Sequence, residues 1–416
     1  MKPSETIKNY NSEVRLYTNY AIKHIKTVCK SFGPRPVGSE SEAKAQEYLG
    51  KELETISDSV TREEFKCSDK AFMFWVPLGA VLLMLSTALY TFGIPVAPIV
   101  LSALTFLIIL LEFVLYKPVL DIFFPKKTSR YIIGTRKPTG DVKKRIILCG
   151  HTDSAFEWTY TYHGGHKMVT FIIVMAGVAI AFNLLGGIYA VIHGSPAVWT
   201  NGDIYSKIIA VAMYVPVPVL CLAIGFVNYK RPVVGANDDM SGCMVCTAVM
   251  KLLDANDIRF ENTELNVMLS SGEECGLRGV KAWAKAHGAE MKAEKDVETI
   301  FIAVDNVREE DFMAIYDKDM SGVVKNDLRV AGLMREAAAN AGFDVPVKAI
   351  ELGATDAAAA SQAGIPAAAF TAMDPAPARY YHTRLDTEDN LSPKMIENGL
   401  KIALETAFLF DEKGIS

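Results

Sequence analysis

Residues 71–116 hold a single charged side chain, Glu112, close to the far end of the run. About 20 apolar residues suffice to cross the hydrocarbon of a bilayer, so this stretch is long enough for two crossings. The segment GIPVAP at 93–98 supplies a glycine and two prolines where a tight turn between them is expected. A second pair follows. Met168–Ile192 and Ile208–Val227 carry no charge, and the HGSPAVWTNGDIYSK between them is polar and rich in turn formers. Pro216 and Pro218 are expected to kink the last helix, which membrane helices tolerate. One such run reads equally well as a buried core helix. Four runs arranged as two hairpins favour the membrane.

Hairpins return the chain to the side it left, so everything outside them shares one face of the bilayer. Lys66, Lys70, Lys117, Lys126, Lys127 and Arg130 surround the first pair, and Lys167, Lys230 and Arg231 the second. The tips carry almost no positive charge, Lys207 excepted. That asymmetry places the shared face in the cytoplasm of a four-helix, multi-pass protein of the cell membrane. The seven cysteines (Cys29, Cys67, Cys149, Cys221, Cys243, Cys246 and Cys275) are odd in number and irregularly spaced. They do not read as a disulfide framework and suit a reducing compartment. The polar N-terminus, MKPSETIKNYNSEVRLY, has no signal-peptide pattern. A net charge of −5 gives no reason to expect nucleic acid as a partner.

The remaining segments, 1–70, 117–167 and 228–416, read as one globular domain interrupted by hairpins at 71–116 and 168–227. KRIILCG (144–150), ELNVMLSS (264–271) and ETIFIAV (298–304) are short apolar runs with β-branched residues, and PAAAFTAM (366–373) is a weaker fourth strand. Between them, 241–254 has helical spacing with Ser241 as its expected start, and 276–288 and 326–341 also read as helices. Such alternation predicts an α/β fold, a three-layer sandwich around a mostly parallel sheet.

His151 and Asp153 follow the first strand, Glu273 and Glu274 the second, Asp305 ends the third, and His382 follows the fourth. In open α/β sheets ligands bind beyond the carboxyl ends of the strands. Histidine and carboxylate donors without thiolate suit zinc, with cobalt or manganese as substitutes. Five such ligands exceed what one catalytic zinc takes, and a bridging carboxylate between two ions accounts for the number. GANDDMSG (235–242) puts an Asp pair at a glycine-flanked turn, a pattern that also makes ordinary helix caps. Glu273-Glu274 stands directly after a buried strand, where one Glu can hold metal while its neighbour takes a proton from water.

GHTDS (150–154), GANDDMSG, SGEECGLRG (271–279), VDN (304–306) and YHTRLDTEDN (381–390) occur in this order. Together they resemble the zinc exopeptidases that include bacterial leucyl aminopeptidases, glutamate carboxypeptidases and the transferrin-receptor ectodomain, metallopeptidase family twenty-eight. SFGPRPVGSESEAKAQEYL (31–49) resembles that family's opening helix region. The resemblance implies that Asp238 bridges two Zn2+ ions through a carboxylate whose residue is joined to Asp239 by a cis bond. It implies that His151 and Asp305 hold one ion, and Glu274 and His382 the other. Glu273 becomes the general base acting on a bridging water, Asp153 orients His151, and Tyr381 contacts the tetrahedral intermediate. The implied partner is a peptide substrate, beside the lipid bilayer that the apolar hairpins call for, and the implied activity is release of N-terminal residues. Carboxypeptidase, deacylase and glutaminyl cyclase chemistry are alternatives on the same fold, and a non-catalytic receptor or scaffold is another. The hairpins depart from the soluble relatives, as does the continuation HTDSAFEW with Phe156 and Trp158.

Other residues read as structural. Cys243 and Cys246 have redox spacing but lie inside an expected helix. His163 and His166 flank glycines at a membrane entry, and His24, His193 and His287 have no nearby acidic cluster. The run GATDAAAASQAGIP is expected to be a close-packed helix, and the resemblance implies that its Asp356 lines the pocket.

Overall fold

The structure is a computed structural model that describes residues 2–415. The chain forms two compact units. One comprises Met1–Asp69, Lys126–Ala155 and Pro232–Ser416; the other comprises Lys70–Pro125 and Phe156–Arg231.

The strands are β1 (Ser59–Cys67), β2 (Lys127–Arg136), β3 (Lys144–His151), β4 (Phe156–Trp158), β5 (Val227–Pro232), β6 (Thr263–Ser270), β7 (Glu298–Val307), β8 (Met313–Asp319), β9 (Val324–Lys325), β10 (Val347–Ala349) and β11 (Ala367–Ala372). Except for β4 and β5, which pair with each other, they make one sheet in the order β1-β2-β6-β3-β7-β11-β8-β10, with β9 on β8. The central strands β6, β3, β7 and β11 run parallel, so their carboxyl ends share one edge. β1 and β2 extend the sheet by antiparallel pairing. The fold is the α/β arrangement with a mostly parallel sheet that the alternating pattern predicts.

Alternation along β3 explains the layers. Ile146 and Leu148 join a core built with the helices Tyr10–Phe32, Met240–Ala255 and Pro393–Lys413. On the neighbouring strand β7, Phe301 packs against Trp283 of the helix Arg278–Ala293, with ring centroids 5.6 Å apart. The helix Met240–Ala255 is buried on nearly every side. Its close seat on the sheet depends on small residues: a Cβ on Gly242 would fall 2.0 Å from the carbonyl oxygen of Val304, and one on Gly150 would fall 2.4 Å from the Cys243 nitrogen. Asp239, not Ser241, caps this helix, because its carboxylate can accept from the Gly242 N–H. Ser241 instead donates to the Asn237 carbonyl and accepts from the Val307 N–H. β7 also runs past Asp305 to Val307, so Asp305 lies within the strand and does not end it. The alanine-rich run forms the buried helix Asp356–Gln362.

The second unit contains four helical stretches long and apolar enough to cross a membrane: Phe72–Thr91, Val96–Val114, Thr159–His193 and Ile204–Ile224. The third breaks at Gly165, whose φ of 63° and ψ of −164° are not helical. The last divides into Ile204–Tyr214 and Val217–Ile224 around Pro216, the kink expected from sequence. Its core includes Ala80, Leu83, Ile172, Ala179, Leu220 and Phe226. Ser86, Thr87 and Asn183 are also buried, and they bond to one another: Ser86 Oγ donates to Asn183 Oδ1 at 2.5 Å, and Asn183 Nδ2 donates to the Ala179 carbonyl at 2.9 Å. Large apolar side chains point outward, among them Val100, Leu104, Phe106, Leu185 and Ile192.

Candidate metal centre

Parallel pairing delivers the ionisable residues to one place. His151 is the last residue of β3 and lies in register with Ser270, the last residue of β6; Glu273 and Glu274 follow three and four residues later. Asp305 on β7 pairs with Thr371 on β11, and His382 follows on the loop beyond β11. Asp238 sits at the start of the helix Met240–Ala255, and the Asp238–Asp239 peptide bond is cis.

Two trios of donors result, His151 with Asp238 and Asp305, and Asp238 with Glu274 and His382, each with its ligand atoms within 4.8 Å of one another. Asp238 belongs to both. Its Oδ1 is 3.2 Å from His151 Nε2, and its Oδ2 is 3.0 Å from His382 Nε2. His382 Nε2 is also 3.2 Å from Glu274 Oε2, and His151 Nε2 is 4.0 Å from both Asp305 Oδ1 and Glu273 Oε2. Ligands at the usual zinc distances stand roughly 3.3 Å apart around a tetrahedral ion. The donor set fits that spacing and that chemistry. It also leaves Glu274 Oε1 buried without a hydrogen-bond partner, and it leaves His151 Nε2 and Asp238 Oδ2 facing only other members of the donor set. Orphaned polar atoms are costly in a protein interior, and a cation among these three supplies what they lack.

Electrostatics say the same. Burial alone would lower the His382 imidazole, yet Glu274 and Asp238 beside it push it up to about 10. Burial, together with Asp238, Glu274 and Asp356, raises the Asp305 carboxyl to about 7. Burial also raises Glu273, with Glu274 and Asp305 adding to it against the opposing pull of His151. These are carboxylates packed more closely than their mutual repulsion favours, a demand for positive charge.

Supporting groups set the geometry. Asp153 accepts the N–H groups of Glu273 and Glu274 at 3.3 and 3.2 Å, and its Oδ1 lies 3.4 Å from His151 Nδ1. The Asp153 carbonyl oxygen is 3.2 Å from the same Nδ1. With the Nδ1 proton turned there, His151 Nε2 keeps its lone pair for a cation. Tyr381 stacks on His382 with ring centroids 3.9 Å apart.

Several supports escape a reading of sequence alone. Asp239 ties three ligand-bearing segments together, accepting from the N–H groups of His151, Gly242 and Asn306. Asp386 holds the bridging loop through the N–H groups of Asn237 and Asp238 and the Asn237 side chain. Burial first, then Asp238, raises the Asp386 carboxyl to about 7. Ser39 Oγ accepts the Glu42 N–H, one half of a capping box, but the Glu42 carboxylate takes the Gly38 N–H and hydroxyls from Ser129 and Ser271 instead of the Ser39 N–H. Asn306 and His382 adopt left-handed φ values of 52° and 51°. Such backbone costs of order 1–3 kcal/mol per residue and persists where the surroundings over-determine it.

Cys243 and Cys246, set aside from sequence, are buried, as is Cys149, and burial raises each thiol. Such thiols are inert. Asp356 accepts from Ser270 Oγ at 2.5 Å, and its Oδ1 is buried without a partner.

Residues 220–407 match the model of peptidase family M28. No curated protein sequence matches the chain. Among solved structures, a zinc aminopeptidase from Bacillus subtilis superposes with a TM-score of 0.53 at 14% identity, covering 94% of this chain and 95% of that one. An aminopeptidase from Aneurinibacillus sp. strain AM-1 gives 0.55 at 15%, covering 96% and 95%. A glutaminyl cyclase from Fimbriiglobus ruber gives 0.55 at 16%, covering 94% and 95%. At these identities the likeness is one of fold.

Proposed function

We propose, with the peptidase family M28 match as premise, that the chain is a membrane-anchored, two-zinc exopeptidase that removes amino acids from peptide N-termini. The observation that carries this is the pair of donor trios sharing Asp238, with the Glu273 carboxylate at the same place. His151, Asp238 and Asp305 would hold one ion and Asp238, Glu274 and His382 the other. Bound there, zinc, or cobalt or manganese in its stead, would supply Lewis-acid polarisation of an amide carbonyl and lower the pKa of water.

The chain's own residues complete the reaction. Glu273 takes a proton from the attacking water as its oxygen bonds to the amide carbon. The same carboxyl then gives that proton to the nitrogen that departs when the C–N bond breaks. Asp153 keeps His151 oriented and the Glu273–Glu274 backbone in place. Tyr381, on the face of His382, would meet the intermediate's oxygen.

Charge favours an N-terminal substrate. Asp153, Glu273 and Asp356 add carboxylates beyond the two trios, an excess that attracts an α-ammonium and repels an α-carboxylate. A glutaminyl cyclase reading draws on the Fimbriiglobus ruber likeness; it would use the same base on an N-terminal glutamine.

Membrane anchoring rests on the four apolar helices and their outward side chains. The cations flanking both hairpins favour a cytoplasmic α/β unit. A cysteine at Ser195, in the second hairpin's tip, would react with an impermeant maleimide on intact cells. Labelling only after lysis reverses the topology.

Incubating the detergent-purified, zinc-loaded protein with free and N-acetylated peptides, followed by mass spectrometry, tests the activity. Release of single residues from free N-termini alone is the expected result, and Glu273→Gln should lower it about 10²–10⁴-fold with zinc retained. Loss of ammonia from N-terminal glutamine without residue release would identify a cyclase. Silence of fully loaded wild type toward every peptide would remove both readings.

A further inference from the structure

Arg35 has no solvent-exposed surface, and the acceptors of its guanidinium are backbone carbonyls. Nε donates to Thr152 at 2.9 Å, Nη1 to Gly33 at 3.1 Å and Val234 at 2.7 Å, and Nη2 to Gly235 at 3.0 Å. Its backbone is equally committed. The Arg35 N–H donates to Ser154 Oγ at 2.9 Å, and the Ser154 N–H donates to the Arg35 carbonyl at 3.0 Å. Ser154 Oγ in turn donates to the Val233 carbonyl at 2.8 Å, and the Val233 N–H reaches the Ala155 carbonyl at 2.9 Å.

Apart from that of Gly33, the carbonyls that the guanidinium reaches belong to two segments that bracket a long excursion of the chain. Thr152 separates His151 from Asp153, and Gly235 stands three residues before Asp238. Between the segments, residues 156–231 belong to the helical unit. β3 has ended at His151, and the β4–β5 pair joins the two segments only further along, at Phe156–Trp158 and Val227–Pro232. Between that pair and the metal ligands, the guanidinium fork ties Thr152 to Val234 and Gly235. Its flanking residues, Pro34 and Pro36, restrict the backbone that presents it. Gly235, at φ +64°, allows the close approach: a Cβ there would lie 2.4 Å from the Asp238 carbonyl oxygen and 2.8 Å from Ser154 Cβ.

We propose that Arg35 is a positioning residue for the metal centre. It gathers the carbonyls of Thr152, Val234 and Gly235 and so holds His151 and Asp238 at the spacing that shared metal binding requires. The role rests on the two-metal reading given above. A lysine cannot replace it, because an ammonium offers three donors from one point where the fork spans carbonyls on separate segments.

The test uses the full chain in detergent, stripped of metal and titrated with Co2+, whose visible absorption reports coordination. Arg35→Lys and Arg35→Ala should bind Co2+ about 10–100-fold more weakly, the usual effect of losing a group that orients ligands, with a shifted absorption band. Turnover of loaded enzyme should fall through kcat with KM little changed, and millimolar guanidinium should restore part of the Co2+ affinity of Arg35→Ala. If Arg35→Ala does not fold, Arg35→Lys, which keeps the charge and most of the volume, decides. A folded Arg35→Lys with wild-type Co2+ affinity and spectrum, and only a lower melting temperature, overturns the role. Wild type that takes up no Co2+ overturns the metal reading as well, so the two failures are distinguishable.

Discussion

In the α/β unit, His151, Asp238 and Glu274 crowd imidazole and carboxylate atoms together out of reach of water; in the helical unit, the buried Ser86, Thr87 and Asn183 bond to one another, while the lone hydroxyls of Ser102 and Thr161 are left over. The surfaces differ in the opposite sense. The helix Met240–Ala255 hides almost every apolar side chain, whereas the helices Val96–Ile108 and Thr159–His193 turn Val100, Leu104, Phe106 and Leu185 outward. A buried polar group needs a partner, and where the chain supplies none an ion or substrate must. An outward apolar face likewise needs a solvent other than water. The contrast teaches where each unit concentrates its unmet demand: clustered charge inside the first, apolar surface around the second.

The largest expected effect sharpens the first half of this contrast. Asp238→Ala removes the carboxylate common to both trios, so both ions and all turnover should be lost together, whereas Asp305→Ala should spare the ion at Glu274 and His382. Metal analysis of the purified variants checks this. Equal loss of metal in both would show that the trios do not share Asp238.

Leu104→Asp tests the outer face of the helical unit. Aspartate at the centre of a membrane helix costs about 2.5–3.5 kcal/mol of insertion free energy, so more of this variant should be released from membranes by alkaline carbonate. Unchanged retention and yield would mean that lipid does not surround this face.

Gly242→Ala probes the tight seat of the helix on the sheet, where a Cβ would meet the Val304 carbonyl at 2.0 Å. Overpacking of this kind costs about 1–3 kcal/mol. The melting temperature should fall and metal affinity with it, since Asp239 beside it ties the ligand segments together. Asn183→Ala should have the smallest effect, about 0.6 kcal/mol for an interhelical hydrogen bond in a membrane. It should loosen the helices in hydrogen exchange without altering kcat. A loss of turnover in step with that loosening would break the comparison, making the two units one cooperative body.

Much of the centre is legible in the chain. His151, Glu273, Glu274 and His382 each follow an apolar run that forms a strand, and parallel strands must bring their carboxyl ends to one edge. Asp305 is legible for the same reason, although β7 continues two residues beyond it. β1 and β2 are harder to read. Charged residues such as Arg62, Glu63 and Glu64 interrupt β1, because one edge of a sheet can meet water and its burial pattern shows no clean alternation.

Sequence by itself determines what is local: four apolar runs of bilayer length, the strand and helix periods, and the turns where Gly93, Gly235 and Pro216 interrupt them. These depend on near neighbours and on solvent, which the order of residues encodes directly. Only the tertiary structure decides which groups meet across long separations. Nothing near Arg35 in the chain announces that its guanidinium joins Thr152 to Val234 and Gly235, or that Asp386 holds the N–H of Asp238. Nor does Asp239, a helix cap to the local eye, reveal that it also takes the N–H groups of His151 and Asn306. Hydrogen bonds act only at contact distance, and that contact exists once the sheet and the helices packed on it have closed the intervening loops.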